Sequence, residues 1–308
     1  MSRRSSTQLY NSVRCYMTSA LGLARAFVWS VVVTAAIAST RFASAVDFSF
    51  ENPPYTAGAS LIGQDGWVTG AYVLADPFFG GAVNGTVDVT ATNPLTGAQS
   101  VLYNQVSIPA GAGSTGASDV RNPGAIIARE HGSSAVDITA SFLIQTNDNA
   151  VGAANNGSMG FFLGRGGNSP ILILLVNAGP ASGDILIGDA GGLPDKGNFV
   201  GNDILEFQLG VDLDNQNYSV AYRNITAGTP LTTLTGSGPG GRFPFFGGPI
   251  LDDGDGVTYT LDTSMMLRSG VGRIDSISAT AVPEPTAIGM AVIGAAALGL
   301  CGRRKRTS

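Results

Sequence analysis

Cysteine and histidine are nearly missing from this chain of 308 residues, which has two cysteines, Cys15 and Cys301, and a single histidine, His131. Both cysteines lie close to the ends, so the long stretch between them closes no disulfide and depends on its apolar core, which its size permits. One histidine without a cysteine excludes a zinc site built from those ligands in that stretch. Glutamate is scarce as well: before Pro283 the chain holds only Glu51, Glu130 and Glu206. The nucleophile elbow Gly-x-Ser-x-Gly does not occur, so His131 has no serine partner of that type and reads as a loop histidine. The string Gly111-Ala112-Gly113-Ser114-Thr115-Gly116 has dinucleotide-fingerprint spacing. Asn122-Pro123-Gly124 follows where the required helix would run, which excludes that use. Basic residues are few between 46 and 282, with 8 against 21 acidic ones, a formal charge near −13 that the whole-chain value of −5 conceals. A surface this acidic repels nucleic acid and anionic lipid, tolerates neutral glycans and attracts divalent cations.

Long apolar runs are confined to the two ends. Arg3, Arg4, Arg14 and Arg25 precede the first acidic residue, and Ala26 to Ala38 is a 13-residue apolar core of signal-peptide length. Ala43-Ser44-Ala45 then offers a small-x-small site, which predicts signal-peptidase cleavage after Ala45; Ala36-Ile37-Ala38 is a second site of the same kind. Met17 is an alternative start. At the other end, Thr286 to Gly302 carries no charge and predicts a single transmembrane helix of roughly 25 Å, a minimal span for a hydrocarbon core of about 30 Å. Ala291, Ala295 and Gly299 give it one smooth face. Arg303-Arg304-Lys305-Arg306 follows and holds that end in the cytoplasm.

The order Val282-Pro283-Glu284-Pro285, apolar run and terminal basic cluster resembles the PEP-CTERM sorting signal of exported bacterial proteins. The resemblance implies recognition by an exosortase-type membrane protease, cleavage near Pro283-Glu284-Pro285, and a destination at the cell surface or extracellular matrix of an exopolysaccharide-producing bacterium. The expected organisation is a signal peptide over 1–45, an ectodomain over 46–281, and the sorting signal over 282–308.

The ectodomain is predicted to be all-β. Alternation is clearest in Val136–Thr146, Asp203–Asp214, Tyr218–Arg223 and Val257–Asp262, while Ile171–Val176 is continuously apolar, as in a strand buried on both faces. Asn-Gly and Gly-Gly pairs at 84–85, 156–157, 191–192 and 240–241 supply tight turns. Many strands without a long helix predict a two-sheet sandwich or jelly roll. Phe48 to Glu51, Pro54-Tyr55, Gly63-Gln64-Asp65-Gly66-Trp67, Val211 to Asp214, Asn217 to Val220 and Arg273 to Ile277 together resemble the concanavalin A-like, laminin-G-like jelly roll.

Candidate chemistry is sparse. Pro77-Phe78-Phe79-Gly80-Gly81 recurs as Pro244-Phe245-Phe246-Gly247-Gly248, so Phe78, Phe79, Phe245 and Phe246 are candidates for a glycan platform, against the alternative that they anchor turns into the core. Asp252, Asp253 and Asp255, and separately Asp212 and Asp214, place hard oxygen ligands in turns and are candidates for Ca2+, although neither follows the twelve-residue loop pattern. Glycosidases on this type of jelly roll carry Glu-x-Asp-x-x-Glu on one strand; the three glutamates here are dispersed, and no position matches. The sequence therefore predicts a non-enzymatic surface or matrix protein associated with extracellular polysaccharide. A calcium-dependent carbohydrate-binding module is the alternative and a glycoside hydrolase the third reading.

Overall fold

The computed structural model describes residues 44–70, 85–105, 118–130, 136–147, 158–165, 168–177, 182–267 and 270–282. Ala43–Val282 forms one compact unit. Its strands, in chain order, are β1 (Ala45–Phe48), β2 (Val68–Thr69), β3 (Thr86–Thr90), β4 (Ser100–Gln105), β5 (Ser118–Arg129), β6 (Ile138–Asn147), β7 (Ser158–Arg165) and β8 (Asn168–Asn177). There follow β9 (Ser182–Ile187), β10 (Asp195–Val200), β11 (Leu205–Asp212), β12 (Asn217–Asn224), β13 (Thr232–Thr233), β14 (Phe243–Pro244), β15 (Thr258–Leu267) and β16 (Gly270–Ala281). One 3-10 turn, Pro239–Gly241, interrupts them. No helix among the described residues is long and apolar enough to cross a membrane. The signal peptide and C-terminal transmembrane helix expected from the sequence lie outside the described residues.

The strands form two antiparallel sheets, which makes the fold an all-β, two-sheet sandwich. The first runs β13-β12-β11-β6-β16-β4-β3, with β1 added along β16 and β14 along β12; the second runs β10-β9-β8-β7-β15-β5-β2. The chain crosses between the sheets repeatedly, so each is assembled from distant segments. Period-2 alternation sets the faces: on β11, Leu205, Phe207 and Leu209 are buried while Gln208 is exposed, and β6 sends Ala140, Phe142 and Ile144 to the same side. Phe142 stacks on Phe207 in its own sheet at 5.4 Å and on Phe161 of the opposite sheet at 4.1 Å, which joins the two layers at their centre.

β8 departs from alternation, as its continuous apolar run predicts. Ile171, Ile173 and Leu175 face the main core, whereas Leu172 and Leu174 join Phe162 and Met266 in a second buried cluster. Phe246 packs against that second cluster.

A nest of four buried aromatics closes one end of the sandwich. Phe48 meets Trp67 edge-on at 5.1 Å, and Phe50 lies between Tyr55 and Trp67. The Gly63–Trp67 turn makes this possible: Gly63, Asp65 and Gly66 all adopt positive φ, and Asp65 Oδ2 accepts from the Tyr55 hydroxyl at 2.8 Å. Tyr55 Oη in turn accepts from Trp67 Nε1 at 3.2 Å, so the two polar atoms carried into the core are both satisfied. Each such ring contributes about 1.5–3 kcal/mol on burial.

Candidate functional site

The C-terminal strand leads directly to the sorting junction. β16 pairs first with β4 along Gly270–Ile274; an irregularity at Asp275–Ser278 follows, with Ser276 at φ 50; β1 then takes over the same edge from Ile277. Ala45 lies opposite Thr280, so the predicted signal-peptidase site falls on the first residue of a paired strand, while Ala43 lies outside the described residues. Ala281 N donates to the Ser44 carbonyl and Val282 N to the Asp137 carbonyl, each at 2.7 Å. Pro283, Glu284, Pro285, Arg303, Arg304, Lys305 and Arg306 lie outside the described residues.

Of the acidic candidates, the Asp252–Asp255 turn uses its carboxylates internally. Asp252 Oδ1 accepts from the amides of Gly254 and Gly256, as expected of an Asx turn, and Asp253 Oδ2 accepts from the Thr260 hydroxyl. Arg165 fills the remaining side: its Nη1 pairs with Asp253 Oδ1 at 2.6 Å and donates to the carbonyls of Leu251 and Asp252. Asp255 accepts from the Thr258 hydroxyl and from the amides of Val257 and Thr258, and these donors hold its carboxyl down to about 2. The turn is thus tied to its own donors and to an arginine.

Asp212 and Asp214 belong to a different arrangement. One carboxylate oxygen from each lies within 4.8 Å of the others and of one from Asp137, a trio of which Asp137 and Asp212 are buried and Asp214 is half-buried. Register explains the convergence. Val211 of β11 stands opposite Ile138 of β6, so Asp212, the last residue of β11, and Asp137, just ahead of β6, come side by side where that pairing ends. Asp137 Oδ2 accepts from Leu213 N at 2.6 Å, and Asp212 holds Asn215 through its amide and side-chain nitrogens. Three close oxygens of this kind suit a hard divalent cation. Asp137 escapes sequence reading because its position beside the other two depends on pairing between distant strands.

The two described phenylalanines of the repeated Phe-Phe-Gly-Gly string part company. Phe245 is buried in the main core beside Tyr218, whereas Phe246 turns toward the second apolar cluster. Phe78, Phe79 and His131 lie outside the described residues. The three glutamates are all engaged. Glu51 Oε1 accepts from the amides of Ala98 and Gln99, Glu130 accepts from the Tyr259 hydroxyl, and Glu206 is paired with Arg223 and Gln208.

A family model for the PEP-CTERM protein-sorting motif matches residues 281–306. The chain carries a PEP-CTERM sorting motif. The motif marks a membrane-associated precursor bound for the cell surface and implies processing by an exosortase-type system. The PEP-CTERM match begins at Ala281, the last residue of β16. No curated protein matches the chain. Solved structures similar to it include arcelin-5, a lectin-like defense protein from Phaseolus vulgaris (9% identity, 79% of this chain and 100% of that one, TM-score 0.38). Peanut lectin is similar at 13% identity over 78% of this chain and 97% of the lectin, with a TM-score of 0.38. A sialidase is similar at 10% identity and TM-score 0.38, covering 70% of this chain; the chain spans 17% of the sialidase's length.

Proposed function

We propose that the mature domain is a non-enzymatic component of the cell surface or extracellular matrix, delivered by its PEP-CTERM signal and associated with extracellular polysaccharide. One observation carries the reading: the sorting motif is continuous with the last strand of a disulfide-free sandwich that bears an excess of acidic residues. The engagement of Glu51, Glu130 and Glu206 in structural hydrogen bonds supports a scaffold role for each. An acidic surface suits a hydrated neutral glycan matrix, in which it resists collapse onto anionic lipid. The test is fractionation of the producing cells. The mature chain should co-purify with extracellular polysaccharide and leave the glycan's chain length unchanged; shortening of the glycan that is lost in Glu130→Gln or Glu206→Gln would establish a hydrolase instead.

A second reading, a calcium-dependent carbohydrate-binding module, is favoured by the convergence of Asp137, Asp212 and Asp214. Retention on the polysaccharide that EDTA removes and calcium restores would select it, as would a rise in Tm with calcium.

A further inference from the structure

Asp275 is a carboxylic acid shut into the fold where β4 hands the edge of β16 to β1. The strand is irregular there, between Asp275 and Ser278, and Ser276 takes φ 50. The carboxyl has no exposed surface and makes no ion pair among the described residues. Its partners are two amides: Oδ1 accepts from Ser276 N at 2.7 Å and Oδ2 from Thr96 N at 3.0 Å. The charged groups of the neighbouring elements supply no counter-ion. Glu51, in the coil after β1, is an acid like Asp275 itself, and Asp47 of β1 stands past the irregularity, opposite Ser278. On β3, Asp88 is level with Leu102 of β4. Arg273, two residues earlier on β16, is turned to Gln145 Oε1, and β6 places the uncharged Leu143 opposite Asp275.

The turn over residues 96–99 hangs on these two acids. Thr96 N donates to Asp275, while Ala98 N and Gln99 N donate to Glu51 Oε1 at 2.7 and 3.2 Å. Among the described residues no backbone–backbone hydrogen bond holds 91–99, so the carboxyls are the turn's polar anchors. At its foot, Gln99 Oε1 and Ser100 Oγ are buried and find no partner. Both are desolvated without compensation while the turn is closed, and both gain water when it lifts. Burial, with Glu51 nearby, pushes the Asp275 carboxyl up to about 7 against the pull of the two amides. An ionised Asp275 would sit desolvated near a second negative charge, and water is its remedy.

We propose that residues 96–99 form a proton-operated flap: the turn lies closed on Glu51 and a protonated Asp275, and loss of that proton lifts it into water. The opened form presents Glu51 and an ionised Asp275 together, so a patch of paired carboxylates joins the surface as pH rises. This holds whatever the domain does at its destination. The sign follows from the two forms. In the closed form the proton leaves near pH 7, and in the open form near the ordinary value of about 4. Closure is therefore complete below the lower value, weakens as pH rises and levels off above the higher one.

The experiment is hydrogen exchange of the full chain in detergent, read at the Thr96, Ala98 and Gln99 amides and corrected for the intrinsic effect of pH on exchange. Their protection should fall about a hundredfold between pH 5 and pH 8. Low urea should leave it unchanged, which marks an opening of the turn alone. In Asp275→Asn the fall should vanish. Flat protection in the natural chain overturns the proposal. So does exchange of these amides only through urea-sensitive unfolding of the whole domain, or a fall that persists in Asp275→Asn. Where that variant does not fold, the carboxyl carbon resonance of Asp275 in the natural chain decides. It should titrate near pH 7 in step with the turn amides; titration at the ordinary value, or without any change in those amides, overturns the flap.

Discussion

The hydroxyl of Tyr218, on β12 of one sheet, donates to the carbonyl of Gly188, just past β9 of the other, at 2.5 Å. A second acceptor, the Leu172 carbonyl, lies at 3.4 Å, and the ring is fully buried between Phe243 and Phe245. Burial pushes the Tyr218 phenol far above its usual range, which keeps it a donor at every ordinary pH. Tyr218→Phe keeps the packing and leaves a buried carbonyl without its donor. It should lower stability by about 1–2 kcal/mol in urea denaturation, with an unchanged m-value.

Asp275 should make stability fall as pH rises. Its carboxyl has no exposed surface, and burial, with Glu51 nearby, pushes it up to about 7 against the opposing pull of the Thr96 and Ser276 amides. The native state therefore holds this proton more tightly than the unfolded chain, and stability declines between about pH 4 and pH 7. In Asp275→Asn the decline should flatten. The stability difference should move in the variant's favour by up to about 4 kcal/mol between pH 4 and pH 8. Parallel pH profiles for the two proteins would contradict this account.

The same pair of acids clamps one turn, and its glycine is required. Glu51 receives the amides of Ala98 and Gln99, Asp275 receives that of Thr96, and Gly97 between them has φ +58. A Cβ at Gly97 would run into Glu51 Oε1. Gly97→Ala should cost about 2–3 kcal/mol, from the left-handed backbone and the displaced carboxylate together. Glu51→Gln in the same background should recover little, because the collision is steric.

Local pattern made the fold class readable and left the sites obscure. Alternation in β6 and β11, the doubly buried run of β8 and the Gly63–Trp67 turn are properties of neighbouring residues, so the sequence displays them. Asp137, Arg165 and Asp275 are different. Asp137 reaches Asp212 only because β6 pairs with β11, Arg165 reaches the Asp252–Asp255 turn from another strand, and Asp275 is buried at a bulge where β4 hands over to β1. None of these follows from periodicity. The docking of β1 on β16 was equally hidden, although the sorting motif at the C-terminal end was legible.

The two aspartate groups should separate under metal titration. Asp255 has its carboxylate held by Thr258 and Val257, and Asp253 by Arg165, so a cation there would have to displace donors already in place. The Asp137–Asp212–Asp214 trio also receives donors, from Leu213 and Asn215, but it brings three carboxylates within 4.8 Å of one another. Any calcium-induced rise in Tm should survive Asp255→Asn and disappear in Asp212→Asn. The reverse result would move the cation to the Asp252–Asp255 turn and displace Arg165.

Phe245 and Phe246 should differ in stability and agree in function. Phe245 is 6% exposed and touches Tyr218, which itself bonds across the sheets, so Phe245→Ala empties space in the main core. A loss of about 3–5 kcal/mol is expected in urea denaturation. Phe246 is half-buried at the rim of the second cluster, where its removal strips contacts without opening the core, and about 1–2 kcal/mol is expected. A glycan platform needs an open ring face, and each of these rings spends a face on protein. Phe246→Ala, which the fold should survive, is therefore expected to leave polysaccharide retention unchanged. A selective loss of retention in that variant, with folding intact, would make the Phe246 ring a contact for sugar.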